Sequence, residues 1–132
     1  MSYDLGLYKD DQPVLVKKHE DGGTYVMGGT DRAELNITYN YSWFYYKFLS
    51  KRKGLRWLYG KTGKQAIPRL KKAVKELGTH QFTRLPEGAD PLTMNHLSYV
   101  DYWAPTPGNA GYALNILLKW AKQHPKAIFN GD

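Results

Sequence analysis

The chain has 132 residues, enough for one domain that buries a core without crosslinks, and it contains no cysteine. Disulfides, zinc–thiolate sites and thiol nucleophiles are therefore excluded. The net charge is +7, and the whole excess lies between residues 47 and 75, where there are eleven Lys or Arg and no Asp or Glu. Such a segment attracts nucleic acid, nucleotides or acidic lipid, or else it is a solvated helix face.

The first forty residues contain four short β-rich runs, which predict a small antiparallel sheet: 3–8, 13–18, 24–27 and 32–39. Turns are predicted at Gln12-Pro13 and at residues 21–23. In the last run, Leu35, Ile37 and Tyr39 alternate with polar residues and should face the core. The polar face is either a solvent surface or the floor of a cleft, and it carries Glu34, Asn36, Thr38 and Asn40.

An aromatic segment follows, because seven of the ten residues from Tyr39 to Phe48 are aromatic. A cap at Asn40 or Ser42 predicts a helix that runs to Gly54. One face of this helix has core spacing, and it carries Tyr41, Phe44, Tyr45 and Phe48. The remaining rings, including Trp43 and Tyr46, must cover another element, a partner subunit or a ligand.

Two further helices are predicted from their ends. The segment 55–59 is too short to be classified. After it, Thr62 and Gln65 form a capping box that predicts the start of a helix ending at Gly78. Its apolar stripe is Ile67, Leu70, Val74 and Leu77. The last helix begins after Thr106 and ends by Gln123, and its stripe is Ala110, Ala113, Leu114, Leu117 and Ala121.

Between these helices, residues 79–105 lack periodicity and predict a long loop that carries Tyr99, Tyr102 and Trp103. The segment 127–132 predicts a final edge strand. Together these elements predict a single α+β domain over residues 1–132, with an N-terminal antiparallel sheet and about three helices packed on it. No run approaches the length of a membrane span, and we expect neither a secretory signal nor a membrane partner.

Two helix starts are candidate phosphate sites. The triplet from Gly60 to Thr62 resembles the end of a nucleotide-hydrolase loop, but Leu55 stands where that loop needs glycine, so hydrolysis is not predicted. A helix that opens there could still offer free N–H groups, the Thr62 hydroxyl and the Lys61 ammonium to a phosphate. The segment from Thr106 to Asn109 is the second such start, with simple capping as the alternative.

Catalytic and metal patterns are not found. The four histidines lack metal-ligand spacing, and there is no nucleophile elbow or close pair of acids in a short motif. We therefore expect a protein that is not an enzyme and that uses neither a metal nor a cofactor. Aromatic rings followed by Lys and Arg are the ingredients of single-stranded nucleic-acid binding, and the same ingredients bind a single nucleotide or a cyclic oligonucleotide.

Three segments resemble a widespread family of small proteins encoded by phages and prophages: ELNITYN (34–40), LRWLYGKTGKQAIPRLKKAVKEL (55–77) and YWAPTPGNAGYALNILLKWAKQHPKAIFNGD (102–132). The most specific motifs are Asn-Ile-Thr-Tyr-Asn and Thr-Pro-Gly-Asn-Ala. Among phage proteins of this size, the chain is similar to the anti-CBASS sponges. That resemblance implies a homo-oligomer in the cytoplasm of the infected host bacterium, where it sequesters a cyclic dinucleotide signal without cleaving it.

Under this hypothesis three groups of residues form the ligand site. The base or ribose edges would be read by Asn36, Thr38 and Asn40, and the bases would stack on Tyr39, Tyr41, Trp43 and Trp103. The phosphates would be held by Arg56, Lys61, Thr62, Lys64, Thr106 and Asn109. Two other classes stay open. A nucleic-acid-binding phage protein would use the 47–75 basic stretch, and its affinity would fall steeply with salt. A phage inhibitor of a host protein would bind no nucleotide at any salt concentration.

Overall fold

The computed structural model describes residues 1–16, 31–90, 92 and 98–132. The predicted strand 24–27 and the end of the predicted strand 13–18 lie outside the described residues. The elements, in chain order, are β1 (Ser2–Lys9), β2 (Gln12–Pro13), β3 (Glu34–Thr38), α1 (Ser42–Phe48), α2 (Gly63–Leu77), β4 (Thr83–Arg84), β5 (Tyr99–Val100), α3 (Pro107–Gln123) and β6 (Ile128–Gly131). The α+β class, the N-terminal antiparallel sheet and the number of helices agree with the prediction.

The main sheet is built around β1, which pairs antiparallel with β2, β3 and β6. Leu5 lies opposite Leu35 of β3 and Gly131 of β6. The alternation predicted for β3 is confirmed for Leu35 and Ile37, which are fully buried, whereas Tyr39 lies beyond the strand and is half-buried, and Thr38 of the polar face is buried. The predicted turn at Gln12-Pro13 is wrong, because those residues form β2 and the turn is at Asp10 and Asp11, which both have positive φ.

Helix α1 is shorter than predicted, because it ends at Phe48 and does not continue to Gly54. The N–H groups of Leu49 and Ser50 both donate to the Tyr45 carbonyl, and the Ser50 hydroxyl then accepts the N–H of Lys53. These bonds end the helix and start a new turn. Residues Gly54–Leu58, which the sequence left unclassified, form a 3-10 helix.

The aromatic segment divides as its spacing predicts. Tyr41 and Tyr45 are fully buried, and Phe44 and Phe48 pack against the core while half-buried. Trp43 and Tyr46 are off the stripe and are exposed, with 61% and 41% of their surface accessible. Part of the aromatic cluster therefore serves the core, and part of it remains at the surface.

Helices α2 and α3 pack together, and their buried residues belong to one hydrophobic core with those of the sheet. The capping box at Thr62 and the end at Gly78 are confirmed, as is the buried stripe predicted for α3. In α2 the predicted stripe is shifted, because Ile67 and Val74 are only half-buried and small residues are buried instead, namely Ala66 and Ala73. A Cβ on Gly63 would lie 2.9 Å from the Ala121 carbonyl oxygen, which shows how closely the two helices approach.

The segment predicted as one long loop contains a small antiparallel pair. Thr83 and Arg84 of β4 pair with Val100 and Tyr99 of β5, and Arg84 forms an ion pair with Asp101. A strand pair of two residues is too short to give a periodic signal. Within the described ranges, no helix is both long and apolar enough to cross a bilayer.

The last strand, predicted as an edge strand, is bonded on both sides. One edge of β6 pairs with β1. On its other side the N–H of Gly60 donates to the Phe129 carbonyl, and the N–H of Phe129 donates to the Lys61 carbonyl. Strand β6 therefore fixes the turn that precedes α2 against the sheet.

Candidate functional site

The predicted site residues do not meet in one place, and the first group lies around Arg56. Its guanidinium carbon is 4.9 Å from the centre of the Tyr3 ring, and Nη2 donates to the Tyr39 hydroxyl at 3.1 Å. The Tyr59 hydroxyl donates to the Asp132 backbone oxygen, and burial raises the pKa of Tyr59 to about 12 although the charge of Arg56 opposes the shift. Arg56 and Tyr39 are thus engaged with each other.

Asn36 lies on the polar face of β3, as predicted, and is half-buried. Its amide donates to the Ser2 hydroxyl at 2.6 Å and also to the Asp4 carboxylate. These bonds use both amide hydrogens to join β3 to β1, so only the Asn36 carbonyl oxygen is left to read a base.

A second group of predicted residues joins the start of α1 to the loop before α3. Tyr41 is fully buried and its hydroxyl donates to the Tyr102 carbonyl, while the Asn40 amide donates to the Trp103 carbonyl at 2.8 Å. Thr38 is 4% exposed, and its hydroxyl accepts the Asn40 N–H. Tyr41 and Thr38, both predicted as ligand contacts, are thus buried and hydrogen-bonded within the chain. Trp103 remains exposed.

The backbone N–H groups at the start of α2, which the sequence predicts as a phosphate site, are hydrogen-bonded within the chain. Those of Gly60, Gly63 and Lys64 donate to carbonyls of residues 125–129. The Thr62 N–H donates to the Gln65 side chain, and the Thr62 hydroxyl accepts the Gln65 N–H. Only the side chains of Lys61 and Lys64 remain available for an anion.

The second predicted phosphate site, at the start of α3, is also used internally. The Thr106 hydroxyl accepts the Asn109 N–H, which is the simple capping considered as the alternative. Asn109 is fully buried, and its side chain accepts the Phe82 N–H and donates to the carbonyls of Asp101 and Ala104. The side chain of Asn109 is therefore engaged with the backbone of Phe82, Asp101 and Ala104.

The structure instead forms a concave site after α1, which we call the basic pocket. Its volume is about 670 Å³, and its lining residues are Lys47, Phe48, Leu49, Ser50, Lys51, Arg52, Lys53, Trp57 and Arg69. Five of these nine residues are cationic, and none of the described lining residues is acidic. This volume lies within the range of about 300–1,000 Å³ that is typical of small-molecule sites.

Among the described residues, no acidic side chain forms an ion pair with the cations of the basic pocket. In the part of the chain that the structure describes, the ion pair is Arg84 with Asp101, outside the pocket. Arg69 donates to the Leu49 carbonyl at 3.3 Å, which holds α2 against the turn after α1. Lys51, Arg52 and Lys53 are exposed on that turn. The pocket therefore has a strong positive potential, which favours an anionic ligand.

Aromatic rings hold several of these cations in place. The Lys47 ammonium lies 4.8 Å from the centre of the Trp43 ring and 5.4 Å from that of Phe48. The Trp57 ring carries two cations, with Arg69 at 4.4 Å and Lys61 at 5.0 Å from its centre. Contact with the face of a ring stabilises a cation and restricts its position without neutralising it.

None of the thirteen predicted ligand residues lines the basic pocket, although Trp43 and Lys61 contact residues that do. Trp57 was missed because it lies in the short segment that the sequence left unclassified. The signal that could have found the site was the acid-free basic stretch, since every cation of the pocket belongs to it. Comparisons of the chain with protein-family models, curated proteins and solved structures found no match.

Proposed function

We propose that the protein binds a nucleotide-type phosphate ligand in the basic pocket and sequesters it without cleaving it. The observation that carries the proposal is the cluster of five cations around one concave site with no acidic residue among the described lining residues. Charge-assisted hydrogen bonds from Lys and Arg are among the strongest contacts that a phosphate can make. Two aromatic rings, Phe48 and Trp57, lie in the same site.

Sequestration needs affinity for the ground state of the ligand and nothing more. An enzyme must bind the transition state better than the substrate, whereas a sponge gains from binding its ligand tightly as it is. The resemblance to phage anti-CBASS sponges extends the proposal to a cyclic dinucleotide signal in the cytoplasm of an infected bacterium. It also extends to a homo-oligomer, for which the exposed Trp43 and Trp103 would be available as contact residues.

The experiment is a binding titration of the purified protein with cyclic dinucleotides and cyclic trinucleotides, followed by recovery of the ligand. We expect one of these ligands to bind, to raise the melting temperature and to be recovered intact. Binding to the folded state alone stabilises it by about 2.7 kcal/mol at a hundredfold excess over Kd. Product formation would contradict sequestration.

Two double variants, each of which removes two positive charges, test whether the ligand binds in the basic pocket. Lys51→Ala with Lys53→Ala removes two exposed cations of the pocket, and Lys71→Ala with Lys72→Ala removes two exposed cations of α2 that do not line it. The pocket variant should weaken binding by about tenfold or more, since two charge-assisted contacts are lost. The α2 variant should bind normally. Equal effects would contradict a ligand seated in the pocket.

The second candidate function is binding of single-stranded nucleic acid. The specific observation in its favour is that exposed cations continue along α2 beyond the pocket, namely Lys64, Lys71, Lys72 and Lys75. A strand lying across both regions would lose affinity equally in the two double variants, and its binding would weaken steeply with salt as counterions are released. Failure of every nucleotide and oligonucleotide to bind would favour an inhibitor of a host protein.

A further inference from the structure

The chemistry of the basic pocket indicates which part of a ligand it can recognise. Its polar side chains are almost all hydrogen-bond donors, because Lys, Arg and the Trp57 indole N–H cannot accept. Among the described lining residues there is no Asn, Gln, Asp or Glu. The Ser50 hydroxyl, which could accept, already receives the Lys53 N–H at 3.2 Å.

Nucleobases are told apart by the pattern of donors and acceptors on their edges. The amino groups of adenine, cytosine and guanine need acceptors in the protein, and the side chains that supply them are Asn, Gln, Asp and Glu. The lining of the basic pocket lacks these side chains, so it offers little means of distinguishing one base from another. Phosphate oxygens, in contrast, only accept hydrogen bonds, and this lining supplies many donors.

The aromatic rings point to the same ligand chemistry. A ring that stacks on a base must offer it an open face. The Trp57 ring carries Arg69 and Lys61, and the Phe48 ring carries Lys47. These rings therefore hold cations at the site (Arg69 and Lys47) or beside it (Lys61), and they contribute to phosphate binding through those cations.

We propose that the basic pocket recognises the phosphates of its ligand and is indifferent to the base, so that affinity rises with the number of closely spaced phosphates. This inference rests on the proposed function and directs it to ligands with adjacent phosphates, in preference to a cyclic dinucleotide, whose two phosphates are separated by riboses. Two kinds of ligand carry such closely spaced phosphates, namely nucleoside polyphosphates and inorganic polyphosphate. A ligand with two or three adjacent phosphates can engage several of the five cations at once.

The test is calorimetric titration with adenosine, AMP, ADP, ATP, GTP, CTP, UTP and tripolyphosphate. We expect no binding of adenosine and rising affinity from AMP to ATP. The four triphosphates should agree within about threefold, because no acceptor side chain discriminates their edges. Tripolyphosphate should compete with ATP for the pocket. Comparing the Kd of tripolyphosphate with that of ATP shows whether the pocket prefers an inorganic polyphosphate or a nucleotide.

Variants of Trp57 test whether its ring acts by holding cations or by stacking on a base. Trp57→Leu removes the ring under Arg69 and Lys61, and it should weaken ATP and tripolyphosphate by the same factor, about fivefold. Trp57→Phe keeps a ring and should restore part of the affinity for both ligands. A loss confined to ATP would mean that Trp57 stacks on the base, and this would overturn the inference. Far-ultraviolet circular dichroism checks that each variant folds.

The outcomes distinguish this inference from the function on which it rests. Base indifference would be overturned if the nucleotides bound with a strong preference for one base, or if adenosine bound as tightly as AMP. Neither result would contradict nucleotide binding itself. Tripolyphosphate that binds while neither these nucleotides nor the cyclic dinucleotides bind would overturn nucleotide sequestration and support phosphate recognition. Failure of all ligands of this panel would overturn recognition of adjacent phosphates, and the titration with cyclic dinucleotides decides the proposed function separately.

Discussion

At the scale of single residues, the structure assigns several conspicuous polar and aromatic side chains to the interior. Tyr45 is the clearest case, because it is fully buried and its hydroxyl donates to the Ala110 carbonyl at 3.0 Å. This bond joins α1 to α3. Burial also raises the pKa of Tyr45 well above its usual value, since an anionic phenolate would be desolvated there.

Tyr45→Phe should lower the free energy of unfolding at neutral pH by about 0.5–1.5 kcal/mol, because one buried hydrogen bond is lost. Because its pKa is raised by folding, Tyr45 stabilises the wild-type protein fully below about pH 10, and this contribution falls as the pH rises further. The phenylalanine variant has no hydroxyl proton to lose. The difference between the two proteins should therefore narrow in alkaline solution.

Denaturant unfolding of both proteins at pH 7 and above about pH 10 measures this difference. Tyr99→Phe, at an exposed position, is the matched control and should change stability little at either pH. A difference that stays constant across the alkaline range would contradict the assigned role of the Tyr45 hydroxyl.

At the scale of elements, the segment between α2 and α3 is held by contacts that no local pattern shows. Asn109 bonds to three backbone groups of that segment. A Cβ on Gly108 would lie 1.7 Å from the His80 carbonyl oxygen, so the backbone packs directly against the start of α3. The loop between the helices is thus fixed at this point by α3.

Asn109→Asp should destabilise the fold by about 3 kcal/mol, because a carboxylate oxygen would replace the amide nitrogen opposite two carbonyl oxygens and its charge would be buried. The melting temperature and denaturant midpoint measure the loss. Asn130→Asp, at an exposed position, is the control with the same chemical change. If both variants lose the same stability, the bonds of Asn109 do not hold this segment.

The elements that the sequence predicts well are those with local signals. Thr62 and Gln65 mark the start of α2, and Thr106 with Pro107 marks that of α3, because capping depends on neighbours three residues apart. The basic pocket could not be predicted in this way. It brings the turn after α1 together with Trp57 and Arg69, and that arrangement depends on how α2 packs.

The bonding at the helix starts predicted as phosphate sites also involves residues distant in the sequence. A free helix start can bind an anion, but whether it is free depends on the rest of the chain. Residues 125–129 satisfy the N–H groups near Thr62, more than sixty positions away in the sequence. The local sequence identifies the correct helix start, but it does not show that a segment distant in the sequence is hydrogen-bonded to it.

At the scale of the whole molecule, charge is the dominant feature. Eleven cations between residues 47 and 75 have no acidic residue among them, and the ion pair of the described residues lies elsewhere. Their mutual repulsion opposes the compact state, and it weakens when salt screens it. The basic pocket therefore has a cost in stability, which a bound anion would offset.

Raising NaCl from about 50 mM to about 500 mM should increase stability by about 1 kcal/mol, as screening reduces this repulsion. The double variant Lys51→Ala with Lys53→Ala should respond less to salt. Thermal unfolding across the salt series gives both results. Phosphate should stabilise the wild type more than chloride does at equal ionic strength, and a lack of this excess would count against anion binding by the pocket.

The pairing of β1 with β6 brings residues from opposite ends of the sequence side by side. The Asp4 N–H donates to the Asp132 carboxylate at 3.2 Å, and the Asp132 N–H donates to the Asp4 carbonyl at 3.1 Å. A short linker from Asp132 to Met1 could therefore close the backbone into a ring, with new ends opened at the exposed Glu87 and Gly88. In such a circular permutant, β6 and β1 would form a local hairpin, and the slowest loop closure of the native order would become one of the fastest.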